Sequence, residues 1–234
     1  MRPAHATSAL GFCTALALAG VMVDAQAADK ENSIQIGYGH IGFNTKSGDL
    51  TGPPGTTPPG VKADLKDTGT LAVVYERHIY GPWSLVLQGG TPPLVKLMGA
   101  GTAAPLGQVG TVRAWFPGLR GQYTFNGPWG TRPYLAAGVN YTTYSDEQVG
   151  SNFTAAFGGT DSTASLKNSW GYIAKVGVSV PVTQNWFVDA SYSKYEIRTT
   201  ATVTTATPGF GNITRTVDVK ADPGIFGLTV GYRF

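Results

Sequence analysis

The sequence predicts an all-β fold, an eight-stranded antiparallel transmembrane β-barrel with short periplasmic turns and long extracellular loops, and three observations lead to it. Near the carboxyl end, apolar or aromatic residues occupy every second position, at Phe226, Leu228, Val230, Tyr232 and Phe234. This period of two is typical of a strand with different environments on its two faces. Only 13% of the 234 residues are charged, well below the roughly 25% of soluble domains. Short and long connections alternate along the chain, which places all short turns at one end of a barrel.

The amino-terminal segment is predicted to be a cleaved signal peptide. A positively charged start precedes an apolar run over residues 9–23, and Ala25 and Ala27 are the small residues that a signal peptidase recognises. Cleavage after Ala27, or alternatively after Ala25, removes the signal peptide 1–27 and leaves the barrel domain 28–234. No later stretch stays apolar for the roughly 18 residues of a membrane helix, so this chain can span a membrane only as a closed sheet.

The first three predicted strands are joined by one long connection and then by one short connection. Residues 33–43 alternate isoleucine and tyrosine with polar residues or glycine. Residues 44–67 are rich in glycine, proline and threonine, which predicts a long loop. The second strand, 69–77, and the third, 83–90, alternate regularly on either side of a short turn.

The fourth and fifth strands follow the same scheme. Residues 91–111 are irregular and predict a second long loop, and the fourth strand is clearest over 119–125. The turn residues Asn-Gly-Pro come next, and the fifth strand, 132–144, has a complete alternation.

The last three strands complete the predicted barrel. Residues 145–166 predict a third long loop, and the sixth strand, 169–180, is joined to the seventh, 186–193, by a short turn. A loop over 206–212 then leads to an eighth strand over 214–234.

Aromatic residues gather near both predicted ends of the strands. Those near the short turns are Tyr75, Trp83, Tyr123, Phe125, Trp186, Tyr232 and Phe234, and those toward the loops are Tyr141, Tyr144, Tyr172 and Tyr192. Two such bands are typical of the two interfaces of a membrane. A soluble sandwich or a lipocalin-like barrel is the alternative, but such a fold has no reason to sort its loops by length.

Four segments carry a resemblance to a known family. They are TPP at 91–93, RPYLAAGVNYTTY at 132–144, SLKNSWG at 165–171 and DPGIFGLTVGYRF at 222–234. Together they resemble the OmpW family of proteins of the bacterial outer membrane. The resemblance implies an eight-stranded barrel that takes up small apolar molecules. It also implies that the terminal strand, through its five alternate residues at 226–234, is a signal to the barrel-assembly machinery.

The alternation of residues along the strands predicts that several charged side chains point into the lumen. Glu76, Arg120, Lys175 and Asp189 share this parity, and an eight-stranded barrel leaves room only for side chains or one small ligand. Because buried charges are costly unless paired, we expect these four to pair and form a lumen plug. The alternative is that each is a solvated pore residue.

Three prolines predict an interruption of the wall. Pro92 and Pro93 end the third strand and Pro117 interrupts the fourth, and proline cannot donate a ladder hydrogen bond. Our hypothesis is that an apolar molecule enters between the loops and leaves through this lateral opening, above the plug. A barrel with a structural or surface-interaction role that transports nothing is the alternative function.

Candidate substrate-channel residues are Trp170, Val86 and Gln88. Trp170 matches by position a tryptophan that narrows the channel in the family, whereas its parity with Tyr172 places it on the lipid side, and both placements stay open. Gln88 departs from the family, because the matching residue there is apolar.

Other function classes find little support in the sequence. Outside the signal segment the histidines are His40 and His78, without an evident nucleophile or acid partner, so we expect no enzyme. We expect no metal or other cofactor. The net charge of +3 is scattered, which argues against nucleic acid. The expected partners are outer-membrane lipid, small apolar solutes and the barrel-assembly machinery.

Overall fold

The computed structural model describes residues 31–234, so the predicted signal peptide lies outside the described residues. The strands, numbered in chain order, are β1 (Asn32–Gly42), β2 (Lys46–Ser47), β3 (Val61–Lys66), β4 (Thr68–Tyr80), β5 (Trp83–Gly90), β6 (Leu94–Gly101), β7 (Gln108–Trp115), β8 (Gly118–Thr124), β9 (Arg132–Val149), β10 (Asp161–Leu166), β11 (Ser169–Pro181), β12 (Trp186–Tyr195), β13 (Arg198–Thr207), β14 (Gly211–Lys220) and β15 (Gly224–Arg233). The helical elements are the α-helix α1 (Ser151–Ala156) and two 3₁₀ turns, Ala104–Leu106 and Pro128–Gly130. No helix in this part of the chain is long and apolar enough to cross a membrane.

Eight strands close into an antiparallel barrel, as the alternation predicts. Their order around the wall is β1, β4, β5, β8, β9, β11, β12 and β15, and β9 pairs with β11 to complete the circuit. The last strand pairs with the first from Ser33 opposite Arg233 to Gly42 opposite Gly224. A closed wall gives every strand two neighbours, which is what lipid requires of a sheet. The predicted fold class is confirmed.

Two bands of aromatic pairs surround the outer surface. Ring centroids lie 5.1 Å apart in Trp83–Tyr123 and Trp186–Tyr232 near the short turns, and 4.9 and 4.7 Å apart in Tyr141–Trp170 and Tyr192–Phe226 near the other end. Tyr144 was predicted in the second band but lies inside, against Val112 and Ala114. It shares the inward parity of Tyr134 and Asn140, which the sequence assignment overlooked.

The connections predicted as long loops contain strands, and that part of the prediction is wrong. β3, β6 and β10 lie within the predicted loops 44–67, 91–111 and 145–166. Their composition is typical of loops, but β3 pairs with β6 and β10 pairs with β13. Pairing decides strand formation more than local propensity does.

The predicted eighth strand also divides in two. β14 ends at Lys220 and β15 starts at Gly224. Between them Asp222 has a φ of +38°, and Pro223 has no N–H to donate to a ladder. β14 therefore leaves the wall, and only β15 closes the barrel.

The strands beyond the barrel form two sheets at the end opposite the short turns, which we call the upper sheets. One contains β9, β7, β6 and β3 and extends the wall, and the other contains β10, β13, β14 and β2. The two sheets and α1 pack around a buried apolar cluster of Leu50, Val61, Ala103, Phe153, Ala201, Val217 and Val219. The apolar interior therefore continues above the membrane-spanning wall.

Candidate functional site

Polar side chains from inward positions cross the lower lumen. We call them the polar layer, and its members are Glu76, Gln88, Arg120, Gln122, Tyr134, Lys175, Ser179 and Asp189. All four predicted plug residues are in this layer, and Arg120, Lys175 and Asp189 are buried.

Glutamine side chains contact the charges on one side of the polar layer. Arg120 Nη1 donates to Gln88 Oε1 at 2.6 Å, and Gln88 Nε2 donates to the Tyr195 hydroxyl at 3.2 Å. Gln122 Nε2 donates to Glu76 Oε1 at 3.2 Å. The neutral amides of Gln88 and Gln122 thus form hydrogen bonds with the Arg120 cation and the Glu76 carboxylate.

Asp189 is the centre of the other side. Its Oδ1 accepts from the Tyr134 hydroxyl at 2.9 Å, and its Oδ2 accepts from Ser179 Oγ at 2.8 Å. Lys175 Nζ lies 5.9 Å from the centroid of the Tyr134 ring. Two hydroxyl donors offset the loss of water around a carboxylate that is only 1% exposed.

The expected direct ion pairs among the plug residues are absent. Within residues 31–234, no pair closer than 4.0 Å joins Glu76, Arg120, Lys175 and Asp189, and the ion pairs that do form lie elsewhere. Uncharged side chains supply the hydrogen bonds of Glu76, Arg120 and Asp189, and the ammonium group of Lys175 lies over the Tyr134 ring. The layer is therefore a mixed polar network rather than a set of salt bridges.

An apolar layer covers the polar layer on its upper side. Its buried members are Ile41, Ile173, Tyr195, Ile197, Ala221 and Ile225, and the partly buried Phe116 packs against them. The Phe116 and Tyr195 rings meet edge to face at 5.6 Å. Ile173 lies two residues above Lys175 on the same face of β11, and the Tyr195 hydroxyl contacts Gln88. The polar and apolar layers are therefore in contact. The apolar layer separates an upper cavity from a lower one.

The upper cavity lies between the upper sheets and is apolar. Its volume is about 80 Å³, and its lining includes Leu50, Val61, Leu97, Val112, Phe153 and Val217. An apolar cavity of roughly 150 Å³ holds benzene in another protein. The upper cavity is about half that size, so one aromatic ring needs a modest outward shift of the lining side chains.

The lower cavity connects the lumen to the wall. Its volume is about 40 Å³. Lys175 and Thr229 line it on the lumen side, and Gly90, Thr91 and Trp115 line it on the wall side. It therefore reaches the wall where β5 and β7 end.

The wall is interrupted at this place. The ladder between β5 and β8 ends at Gln88 opposite Gly118, and the ladder between β6 and β7 begins at Leu94 opposite Arg113. The prolines predicted for the lateral opening all lie in the two segments between these pairs: Pro92, Pro93 and Pro117.

Side chains cross this interruption. Trp115 Nε1 donates to the Gly90 carbonyl at 3.2 Å, and Arg113 Nη1 donates to the Pro92 carbonyl at 3.4 Å. One backbone bond, from the Ala114 N–H to the Pro93 carbonyl at 3.2 Å, lies at the upper end of the interruption. A side-chain bond can break by a change of rotamer, whereas a ladder opens only with the backbone. Between the Gln88–Gly118 pair and the Ala114–Pro93 bond, the wall is therefore joined by side chains rather than by a backbone ladder.

The predicted channel residues occupy different places. Val86 is 1% exposed inside the lumen, and Gln88 belongs to the polar layer. Trp170 lies on the outer face: its ring is 72% exposed and contacts the Tyr141 ring. Its continuous pairing with β9 leaves no bulge that would turn it inward, so its placement in the channel is wrong.

The terminal strand presents its alternate residues outward. Exposed fractions range from 36% to 63% across Phe226, Leu228, Val230, Tyr232 and Phe234. This is the arrangement that the alternation predicts. Their role as an assembly signal stays a prediction.

Arg215 closes the upper end of the apolar interior. It is 1% exposed, and its guanidinium carbon lies 4.4 Å from the centroid of the Phe157 ring. Nη2 donates to the Thr56 carbonyl at 2.9 Å, and Nε donates to the Thr57 hydroxyl at 3.2 Å. Burial lowers the pKa of Arg215, yet an arginine side chain remains charged at physiological pH. One cation thus ties β14 to the segment before β3.

The two histidines within residues 31–234 lie apart. His40 is exposed on β1, and His78 lies near a short turn on β4. Within the described chain, no group of three or more His, Cys, Asp and Glu side chains could hold a metal ion.

Sequence reasoning missed Phe116, Trp115, Tyr195 and Arg215. Tyr195 shares the inward parity of Asp189 and was detectable if the seventh strand was extended by two residues. Trp115 lies at the end of β7, next to a stretch that was predicted as a loop, and no pattern marked it.

The family comparison covers most of the described chain. A sequence model of the OmpW family matches residues 62–234. The outer membrane protein W of Vibrio cholerae is 34% identical over 140 residues, which cover 57% of this chain and 58% of that protein. The chain thus spans somewhat more than half the length of this curated relative.

Two further proteins are similar over more of their length. The dibenzothiophene metabolism operon protein PahQ of Pseudomonas aeruginosa is 26% identical over 186 residues, covering 77% of this chain and 78% of that protein. The crystal structure of the outer membrane protein OprG from Pseudomonas aeruginosa has a TM-score of 0.77 at 25% identity, covering 87% of this chain and 95% of that one.

Proposed function

Because the chain belongs to the OmpW family and resides in the bacterial outer membrane, we propose that it is a channel for the uptake of small apolar molecules. The observation that carries the proposal is the apolar upper cavity, which lies on the outer side of the polar layer. A barrel with a purely structural role has no need of an apolar cavity there.

The chemistry of the solute follows from the lining. A rigid, uncharged molecule that buries one ring in the widened upper cavity loses the hydration of that ring and gains roughly 25 cal/mol per Å² of buried apolar surface. Each further ring requires the lining of the cavity to move further outward. The relative PahQ is named for an operon of dibenzothiophene metabolism, and dibenzothiophene is such a molecule. Aromatic hydrocarbons and their sulfur analogues are therefore the solute class that we propose.

The exit is lateral in this proposal. Reaching the periplasm directly requires an apolar molecule to displace the hydrogen bonds of Arg120 and Asp189, and each buried polar group left without a partner costs roughly 1–3 kcal/mol. The wall interruption begins directly above Gln88 of that layer, and in this proposal it opens into the bilayer. An apolar molecule meets less resistance on the way into lipid.

Two glycines allow a matched test. A Cβ at Gly89 or at Gly121 meets no heavy atom within 4 Å, so both positions accept a larger side chain. Gly89 borders the wall interruption, whereas Gly121 lies on the intact ladder opposite Leu85. Gly89→Trp should block uptake, while Gly121→Trp should not.

The measurement is the initial rate of uptake of labelled dibenzothiophene into cells that express equal amounts of each folded variant. The expected result is that Gly89→Trp falls to the rate of cells without the barrel and that Gly121→Trp matches the unmodified protein. Equal rates in the two variants would refute the lateral exit. A rate that never exceeds that of barrel-free cells would refute transport and support a structural role.

A further inference from the structure

A group of basic side chains lies outside the transport path, on the upper sheet of β10, β13, β14 and β2. We call it the basic patch: Lys46, Lys167, Arg198 and Lys220. These four line one solvent-open cavity of about 620 Å³ together with Thr200 and Asp218. No predicted function used these residues.

Strand pairing brings the cations together. Arg198 is opposite Lys220 on β13 and β14, and Lys220 is opposite Lys46 on β14 and β2. Like charges directly opposite each other in a sheet are destabilising. Lys167 lies beside these cations, because its N–H donates to the carbonyl of Thr200, two residues from Arg198 on β13, at 3.1 Å. The sheet therefore concentrates positive charge where pairing alone would avoid it.

Carboxylates neutralise only part of the patch. Arg198 pairs with Glu196, and Lys220 Nζ lies 3.1 Å from Asp222 Oδ2. In the described part of the chain, Lys46 and Lys167 have no carboxylate within 4.0 Å. Two cations thus remain available to an external anion.

The patch faces outward, away from the apolar interior. Ala201 and Val219 belong to the buried cluster. Arg198 is three positions from Ala201 on β13, and Lys220 is one position from Val219 on β14, so both cations lie on the opposite face of the sheet. The hydrogen bond from the Thr200 hydroxyl to Asp218 Oδ1, 2.6 Å long, lies on that outward face.

The level of the patch is that of the membrane surface. Lys167 precedes Trp170 of the upper aromatic band by three residues, and Lys220 lies four residues before β15 enters the wall at Gly224. Side chains immediately beyond an aromatic band meet the lipid headgroups. A second row of like charges, Lys66 opposite Lys96, lies at the same end of the other upper sheet.

We propose that the basic patch binds the phosphate groups of a lipid of the outer leaflet, which in this membrane is lipid A. Arginine matches phosphate oxygens with two parallel N–H donors, and lysines add charge without a fixed geometry. Basic clusters at a membrane surface recognise anionic headgroups in this way. The bound lipid would lie beside the barrel, so this site is independent of the proposed uptake path.

The test uses the purified full-length barrel and bisphosphorylated lipid A in detergent micelles, with binding measured by native mass spectrometry. Lys46→Gln combined with Lys167→Gln removes the two unpaired cations. Lys62→Gln combined with Arg132→Gln removes the same charge from the tip of an upper sheet and from the short-turn end. Two lysines near a lipid surface correspond to about a thirtyfold loss of affinity.

We expect the first double variant to show this loss of affinity for lipid A and the second to keep its affinity unchanged. We also expect dephosphorylated lipid A to bind the unmodified protein only weakly. Equal affinities for phosphorylated and dephosphorylated lipid, or equal affinities of the two double variants, would overturn the proposal. Inorganic phosphate that displaces the lipid at equal concentration would instead identify a site for a free anion and would also overturn it. Matching unfolding curves of both double variants exclude a folding defect.

Discussion

Replacing Asp189 with asparagine keeps the shape of the side chain and removes the buried carboxylate of the polar layer. The carboxylate accepts two hydroxyl hydrogen bonds, from Tyr134 and Ser179, and bonds to a charged group are worth roughly 1.5–3 kcal/mol each. Asparagine retains one acceptor oxygen and a neutral bond of about 1 kcal/mol, so we expect the free energy of unfolding to fall by about 2–5 kcal/mol.

The assay is urea unfolding of the purified barrel in lipid vesicles, in which a lower midpoint with an unchanged slope reports a loss of stability. Asp146→Asn is the matched control, because Asp146 pairs with Arg113 at 3.1 Å where the two side chains are 65% and 46% exposed. Surface pairs contribute roughly 0–1 kcal/mol. If both variants lose the same small amount, the polar layer does not stabilise the lumen as argued.

Three further predictions concern single rings. Phe116→Ala opens the apolar layer between the two cavities; it should raise dibenzothiophene uptake and lower stability by up to about 3 kcal/mol. Slower uptake at equal expression would contradict the role of this layer as a barrier between the cavities. Trp170→Ala should leave uptake unchanged, because the ring lies outside the barrel, and lost uptake would place it on the path. Phe234→Ser should reduce the amount of barrel in outer-membrane fractions, quantified by immunoblot, and a normal amount would remove the assembly role.

The alternation of residues was sufficient to predict the wall and its inward side chains. Arg120 and Asp189 were assigned to the lumen because side-chain parity along a strand depends on the sequence alone. The hydrogen-bond partners of these two charges could not be predicted in the same way. Direct pairing of these charges depends on distances across the lumen, which follow from the stagger of non-adjacent strands, and that stagger leaves no trace in a single strand.

The upper part of the fold escaped prediction for a related reason. β6 and β14 alternate weakly and contain glycine or threonine, so they read as loops or as extensions of other strands. Part of their strand conformation comes from partners distant in the chain: Leu97 of β6 is opposite Leu65 of β3, and Val219 of β14 is opposite Ser47 of β2. Trp170 illustrates the opposite case, in which parity was right and positional likeness to a family motif was misleading.

Closure of the wall by β1 and β15 has a kinetic consequence. Ser33 pairs with Arg233 across almost the whole chain, and bringing such distant ends together costs about 5 kcal/mol of chain entropy. Until that contact forms, the sheet has two open edges whose N–H and C=O groups find no partner in lipid. Shortening the chain from its carboxyl end should therefore yield an uninserted polypeptide rather than a narrower barrel, and the terminal strand makes insertion an all-or-none event.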